Sequence, residues 1–184
     1  LIICVAPTGD MIPKQANPNL PEQPDEIAEE VYRCWNEGAA IVHIHARDKD
    51  GKALPDPDLF REIDRRIREK GCDIIIQHST APGPRSGLTV EDGTRSVEAG
   101  PEMASLSMGV ATAIFPGGEE EMNMLWTRRF QEKTAKLMLE RGVKPEMEIY
   151  NPAMMENVLN LINKGLLKKP YWLSFVMGME GVNQ

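Results

Sequence analysis

The sequence predicts an α/β fold, a (β/α)8 TIM barrel of which about the first six strands are present. Short apolar runs rich in β-branched residues alternate with longer stretches of helical period, the pattern of a parallel sheet with crossover helices. Strand starts recur at about 34 residues, so eight units would need roughly 270, near the size of a complete barrel. The chain has 184. No linker or shift of composition divides it, and residues 1–184 are expected to form a single incomplete barrel domain.

The elements follow in order. Strands are expected near Leu1–Thr8, Ala39–Ala46, Asp73–Thr80, Met103–Met108, Glu146–Asn151 and Tyr171–Gly178. The first helix, Pro24–Glu37, sets Ile27, Val31 and Trp35 on one stripe. Pro57–Lys70 repeats this with Phe60, Ile63 and Ile67, and Asp56 before Pro57 is a natural N-cap followed by proline at the first helical position. Val90–Ala99 is short and polar. Glu119–Arg141 reads as a long helix stopped by Gly142, and Pro152–Lys164 carries Met155, Val158, Leu159 and Ile162 before Gly165.

Composition narrows the function. A formal charge of −7 argues against a nucleic-acid surface, which needs clustered Lys and Arg. No apolar run approaches the roughly 20 residues that span a bilayer, so no membrane partner is expected. Three widely spaced cysteines, Cys4, Cys34 and Cys72, make neither a disulfide framework nor a zinc knuckle and point to a reducing cytoplasm. Cys4 and Cys72 lie at or near strand starts, away from a catalytic rim, and the eleven methionines are scattered as core filling. Leu1 opens directly inside an apolar run, so a short segment is expected to precede it.

The sharpest chemical signal is Val42-His43-Ile44-His45-Ala46-Arg47. Alternate residues of a strand share a face, so His43 and His45 project together and can share one metal ion. The C-terminal end of a parallel strand is where such folds place their sites. Gln77 with Ser79, Ser105 with Ser107, and Glu146 with Glu148 repeat a polar i, i+2 pattern on other strands, which in a sheet covered on both faces suggests an inward-facing site. Thr8-Gly9-Asp10 and Ser79-Thr80-Ala81-Pro82-Gly83 end their strands in loops, and Gly83 has a backbone N–H to offer a carboxylate. His78 falls on the other face from Ser79 and is read as a packed or surface histidine.

These motifs resemble the β-keto acid cleavage enzyme family. The match runs through Asn17-Pro18-Asn19-Leu20-Pro21, the stretch from Gly38 to Arg47, Gln77-His78-Ser79-Thr80, Pro101 to Leu106, Lys144 to Tyr150 and Phe175-Val176-Met177-Gly178. The resemblance implies a (β/α)8 barrel holding one Zn2+ per subunit, in a homotetramer, that converts a β-keto acid and acetyl-CoA into acetoacetate and a new acyl-CoA. It implies His43 and His45 as zinc ligands, Ser79, Gly83 and Ser105 as holders of the keto acid, Glu148 at the substrate end of the pocket, and Arg47 beside the histidines as a further binding residue.

Two departures accompany it. Met11 stands where the family's described enzyme has a substrate-contacting glutamate, which predicts a substrate with a less cationic tail. The third zinc ligand, a glutamate, and the catalytic aspartate are expected on strands beyond Gln184. The catalytic base is therefore expected outside these 184 residues, and the polypeptide ending there is expected to be inactive. Another metal-dependent barrel lyase or aldolase, or a non-catalytic ligand-binding barrel, is the competing reading. A barrel amidohydrolase needs histidines on later strands, and none follows His78.

Overall fold

The structure, a computed structural model, describes residues 1–83, 86–114 and 121–178. By compactness the chain falls into two units, Leu1–Met103 and Ala104–Gln184. The fold class is the expected one: parallel strands separated by helices, six of the eight that a (β/α)8 barrel has. No helix among the described residues is long and apolar enough to cross a membrane.

The first unit runs β1 (Cys4–Val5), α1 (Pro24–Asn36), β2 (Ile41–Ile44), α2 (Pro57–Glu69) and β3 (Ile75–His78), with its strands in parallel order β1-β2-β3. α3 (Val90–Gly93) leads into a 3-10 turn, Thr94–Ala99, so the expected third helix divides. Proline at the first position starts α1 and α2 without wasting a helical N–H. Asp56 caps α2 as the sequence implied, accepting from the N–H groups of Asp58 and Leu59 at 2.8 and 3.1 Å. Ile27 and Val31 of α1, Phe60, Ile63 and Ile67 of α2, and Val42 and Ile44 of β2 are buried in one core. Burial of each contributes about 1.5–3 kcal/mol. His78 is a packed histidine: its ring lies 4.2 Å from that of Phe60, with Nε2 2.9 Å from Asp64.

The expected strand Leu1–Thr8 keeps only Cys4–Val5 as ladder, because the chain turns away at Thr8 and Gly9 to build the loop described below.

One glycine is fixed by crowding. A Cβ at Gly93 would stand 2.0 Å from the carbonyl oxygen of Thr80 and 3.2 Å from the nitrogen of Pro82, both backbone atoms that cannot swing aside. Gly93→Ala is therefore expected to destabilise the full-length protein by about 3 kcal/mol, as overpacking against fixed backbone does. Urea unfolding checks this, and a loss below about 1 kcal/mol contradicts the close approach.

In the second unit, β4 (Met103–Ser107, whose first residue belongs to the first unit), β7 (Lys144–Ile149) and β8 (Trp172–Phe175) lie in that order, β7 and β8 parallel. α4 (Arg128–Arg141) and α5 (Met155–Asn163) connect them, α5 after a 3-10 turn at Pro152–Met154. The helix expected over Glu119–Arg141 is corrected here. β5 (Val110–Ile114) and β6 (Glu121–Leu125) form an antiparallel pair with Val110 opposite Leu125 and Thr112 opposite Asn123, and α4 begins only at Arg128. Residues 119 and 120 lie outside the described residues. Glu, Met and Leu favour helix in isolation. Cross-strand pairing overrides that preference: Thr112 Oγ1 donates to Asn123 Oδ1 at 2.7 Å, and Thr127 then opens the helix by capping the N–H of Phe130.

Candidate functional site

The site of the first unit grows from the C-terminal ends of β1, β2 and β3. His43 lies within β2 and His45 one residue past its end. Their Nε2 atoms face each other at 3.2 Å. Behind His43, Nδ1 sits 2.9 Å from the amide oxygen of Gln77, its ladder partner on β3. An amide oxygen only accepts, so Nδ1 carries the proton and Nε2 is left with its lone pair. Behind His45, Nδ1 lies 3.2 Å from Asp10 Oδ2, an ion-pair separation rather than an aligned hydrogen bond, and that buried oxygen has no hydrogen-bond partner.

Burial, reinforced by the charge His45 can carry, pushes the pKa of His43 down to about 4, against the opposing pull of Gln77 and Asp10. His43 is therefore neutral at physiological pH. For Asp10, burial raises the pKa, but His45, Arg47 and His43 outweigh it and hold the carboxyl below its ordinary value. The arrangement is a carboxylate behind one imidazole and an amide behind the other. With its proton on Nε2, His45 donates to His43 Nε2; with both Nδ1 atoms protonated, two lone pairs face each other and a positive centre suits the space between them. In tetrahedral zinc coordination, with Zn–N bonds of about 2.0–2.1 Å, two ligand nitrogens stand about 3.3 Å apart, so the pair fits such an ion. Among the described residues no group of three or more His, Cys, Asp or Glu side chains forms a metal cluster, so the fit rests on these two imidazoles.

Arg47 corrects the sequence reading. The residue is 3% exposed and all five of its N–H groups are committed. Nε donates to the carbonyl of Gly9, Nη1 to Glu22 Oε1 at 2.8 Å and to the carbonyl of Gly51, and Nη2 to the carbonyls of Thr8 and Ile12. No donor is left for a substrate. Arg47 instead clamps the loop that carries Asp10, while Thr8 Oγ1 accepts the N–H of His45 at 3.0 Å.

Ser79 is buried just past β3, its Oγ accepting from the N–H of Ala81 at 3.2 Å. Gly83 has φ 83°, and a Cβ there would lie 2.9 Å from Asp10 Oδ2. The Ser79–Gly83 loop thus packs over the carboxylate behind His45.

The second unit holds the other residues expected to bind substrate. Ser105 is buried on β4. Glu148 is half-buried on β7, its Oε2 accepting from Ser107 Oγ at 2.7 Å and from the Tyr150 hydroxyl at 3.1 Å. Burial and then the charge of Glu148 push Tyr150 well above the ordinary tyrosine range, so its hydroxyl stays protonated as a donor. Tyr150 stacks on Trp126 at 6.2 Å between ring centroids. Glu146, on the same strand, is buried.

Sequence reasoning selected the histidines and the strand-end loops but gave no role to Asp10, Gln77 or Tyr150. The signal for the first two was present: Asp10 ends the Thr-Gly-Asp loop after the first strand, and Gln77 sits in register with His43.

Comparison with known proteins shows the family. A profile of the beta-keto acid cleavage enzyme family matches residues 1–184. A 3-keto-5-aminohexanoate cleavage enzyme from Fusobacterium nucleatum is 37% identical over 180 residues, covering 98% of this chain and 64% of that protein. A 3-oxoadipate:acetyl-CoA acetyltransferase from Cupriavidus necator is 30% identical over 182 residues, covering 97% and 60%. The chain thus spans less than two thirds of the length of these relatives. Among solved structures, apo ObcA superimposes with a TM-score of 0.68 at 25% identity, over 88% of this chain and 37% of that one. With parallel strands in this order and a family match from first residue to last, the chain belongs to the β-keto acid cleavage enzyme family.

Proposed function

We propose that the full-length protein is a zinc-dependent acyltransferase that takes a β-keto acid and acetyl-CoA to acetoacetate and a new acyl-CoA. The observation that carries the reading is the His43–His45 pair, two Nε2 atoms 3.2 Å apart with acceptors facing both Nδ1 atoms. The names of the relatives, a 3-keto-5-aminohexanoate cleavage enzyme and a 3-oxoadipate:acetyl-CoA acetyltransferase, support the substrate class.

His43 and His45 would hold the zinc ion, which supplies Lewis acidity to a keto oxygen where negative charge develops. Ser79 keeps its hydroxyl hydrogen for the keto acid's carboxylate, since its oxygen already accepts from Ala81. Gly83 brings its backbone close to the same loop, and the resemblance adds Ser105 and Glu148 as further substrate contacts. Tyr150 and Ser107 hold the Glu148 carboxylate by donating to one of its oxygens, which fixes its orientation. The third metal ligand and the base that forms the acetyl-CoA enolate belong, on this reading, to later strands. A cytoplasmic homotetramer is part of the same reading.

The reading is tested by acetyl-CoA consumption across a panel of β-keto acids. Full-length enzyme is expected to consume acetyl-CoA with uncharged keto acids in preference to amino-bearing ones, Met11 offering no counter-charge. Dialysis against a chelator should remove activity, and Zn2+ should restore it. Keto acid cleavage that leaves acetyl-CoA untouched would instead favour a metal-dependent lyase, and activity insensitive to chelation would refute the zinc.

A further inference from the structure

We propose that Asp10 is a positioning residue: held by the Arg47 clamp behind His45, it fixes that imidazole with Nδ1 protonated and Nε2 turned toward His43, while Gln77 does the same for His43. The inference rests on the zinc reading above.

Asp10 is buried, with 3% of its side chain exposed. Its Oδ2 makes no hydrogen bond, yet lies 3.2 Å from His45 Nδ1. A carboxylate held this deep calls for a partner. Service as the counter-ion of Arg47 does not account for it, because that guanidinium gives its carboxylate bond to Glu22 and its remaining donors to main-chain carbonyls. Three of those carbonyls, on Thr8, Gly9 and Ile12, bracket Asp10 and hold its backbone. From the other side, Gly83 leaves just the room the carboxylate needs. Every neighbour thus fixes the place of Asp10, and what Asp10 faces is the back of His45. An acceptor in that place does for a metal-binding imidazole what is needed: it selects the tautomer and raises the basicity of the far nitrogen. Gln77 is a neutral acceptor and Asp10 a charged one, so His45 would be the stronger donor of the two.

The test uses full-length protein and Zn2+, with affinity measured by competition against a chromophoric chelator and the His45 tautomer read from imidazole 15N shifts in metal-free protein. Asp10→Ala is expected to weaken zinc binding about 10–100-fold and to mix the two His45 tautomers. Asp10→Asn, which keeps an acceptor, is expected to retain the tautomer and lose less affinity. Wild-type affinity in Asp10→Ala overturns the proposal while leaving the zinc reading intact. Should the wild type bind no zinc, that reading fails, and the tautomer still decides the role of Asp10: an unchanged tautomer in Asp10→Ala overturns it. If Asp10→Ala does not fold, Asp10→Asn decides, and undiminished zinc affinity there overturns the proposal.

Discussion

Replacing both histidines, His43→Ala with His45→Ala, is expected to abolish zinc binding by the full-length protein and to lower acetyl-CoA-dependent cleavage by at least ~1,000-fold, since a Lewis acid at a developing oxyanion contributes several kcal/mol and each 1.36 kcal/mol is tenfold. The fold should survive. In the metal-free state the two rings share one 3.2 Å Nε2–Nε2 contact, so deleting them costs that contact and some packing at the rim of the strand and leaves the buried core untouched. Metal content by mass spectrometry, turnover and circular dichroism measured on one preparation separate these effects. A double variant that keeps stoichiometric zinc would sink the site assignment.

The second large effect is on stability. Arg47→Met is expected to cost about 3–5 kcal/mol, the range for breaking a buried ion pair by removing one partner. Met matches the length of the side chain but returns none of its five hydrogen bonds, leaving Glu22 and the carbonyls of Thr8, Gly9, Gly51 and Ile12 without this donor. Arg47→Lys should recover only part of the loss, because an ammonium cannot reproduce the planar fork that reaches carbonyls on two sides at once. Urea midpoints and slopes for the two variants decide it. A loss under about 1 kcal/mol for Arg47→Met would show that the loop holds itself.

The sequence revealed the βα alternation and the histidine pair because each is local. Helical period shows in Ile27, Val31, Phe60, Ile63 and Ile67, and a two-residue spacing on a strand sets side chains on one face whatever surrounds it. What stayed hidden depends on partners distant in sequence. Four of the five residues of Glu121–Leu125, all but Asn123, favour a helix, and only the pairing with Val110–Ile114 makes the segment a strand. The family resemblance implies Arg47 as a binding residue beside the histidines. The carbonyls that consume its donors lie mostly 35 to 39 residues away, with nothing in their side chains to announce it. Asp10 stands in the loop that ends the first strand, but its place behind His45 appears only when β1 and β2 lie side by side.

The Arg47 clamp also bears on how such a protein changes over generations. Along the loop after β1, the guanidinium grips main-chain oxygens of Thr8, Gly9 and Ile12, and so reads the path of the backbone and not the identity of side chains. Position 11 falls inside the gripped stretch yet contributes nothing to the grip. Its side chain can be exchanged, Met for a charged residue or the reverse, while the neighbouring Asp10 stays in place. A loop tied down by its main chain keeps its geometry through such exchanges, and selection can act on that side chain without first repairing the fold.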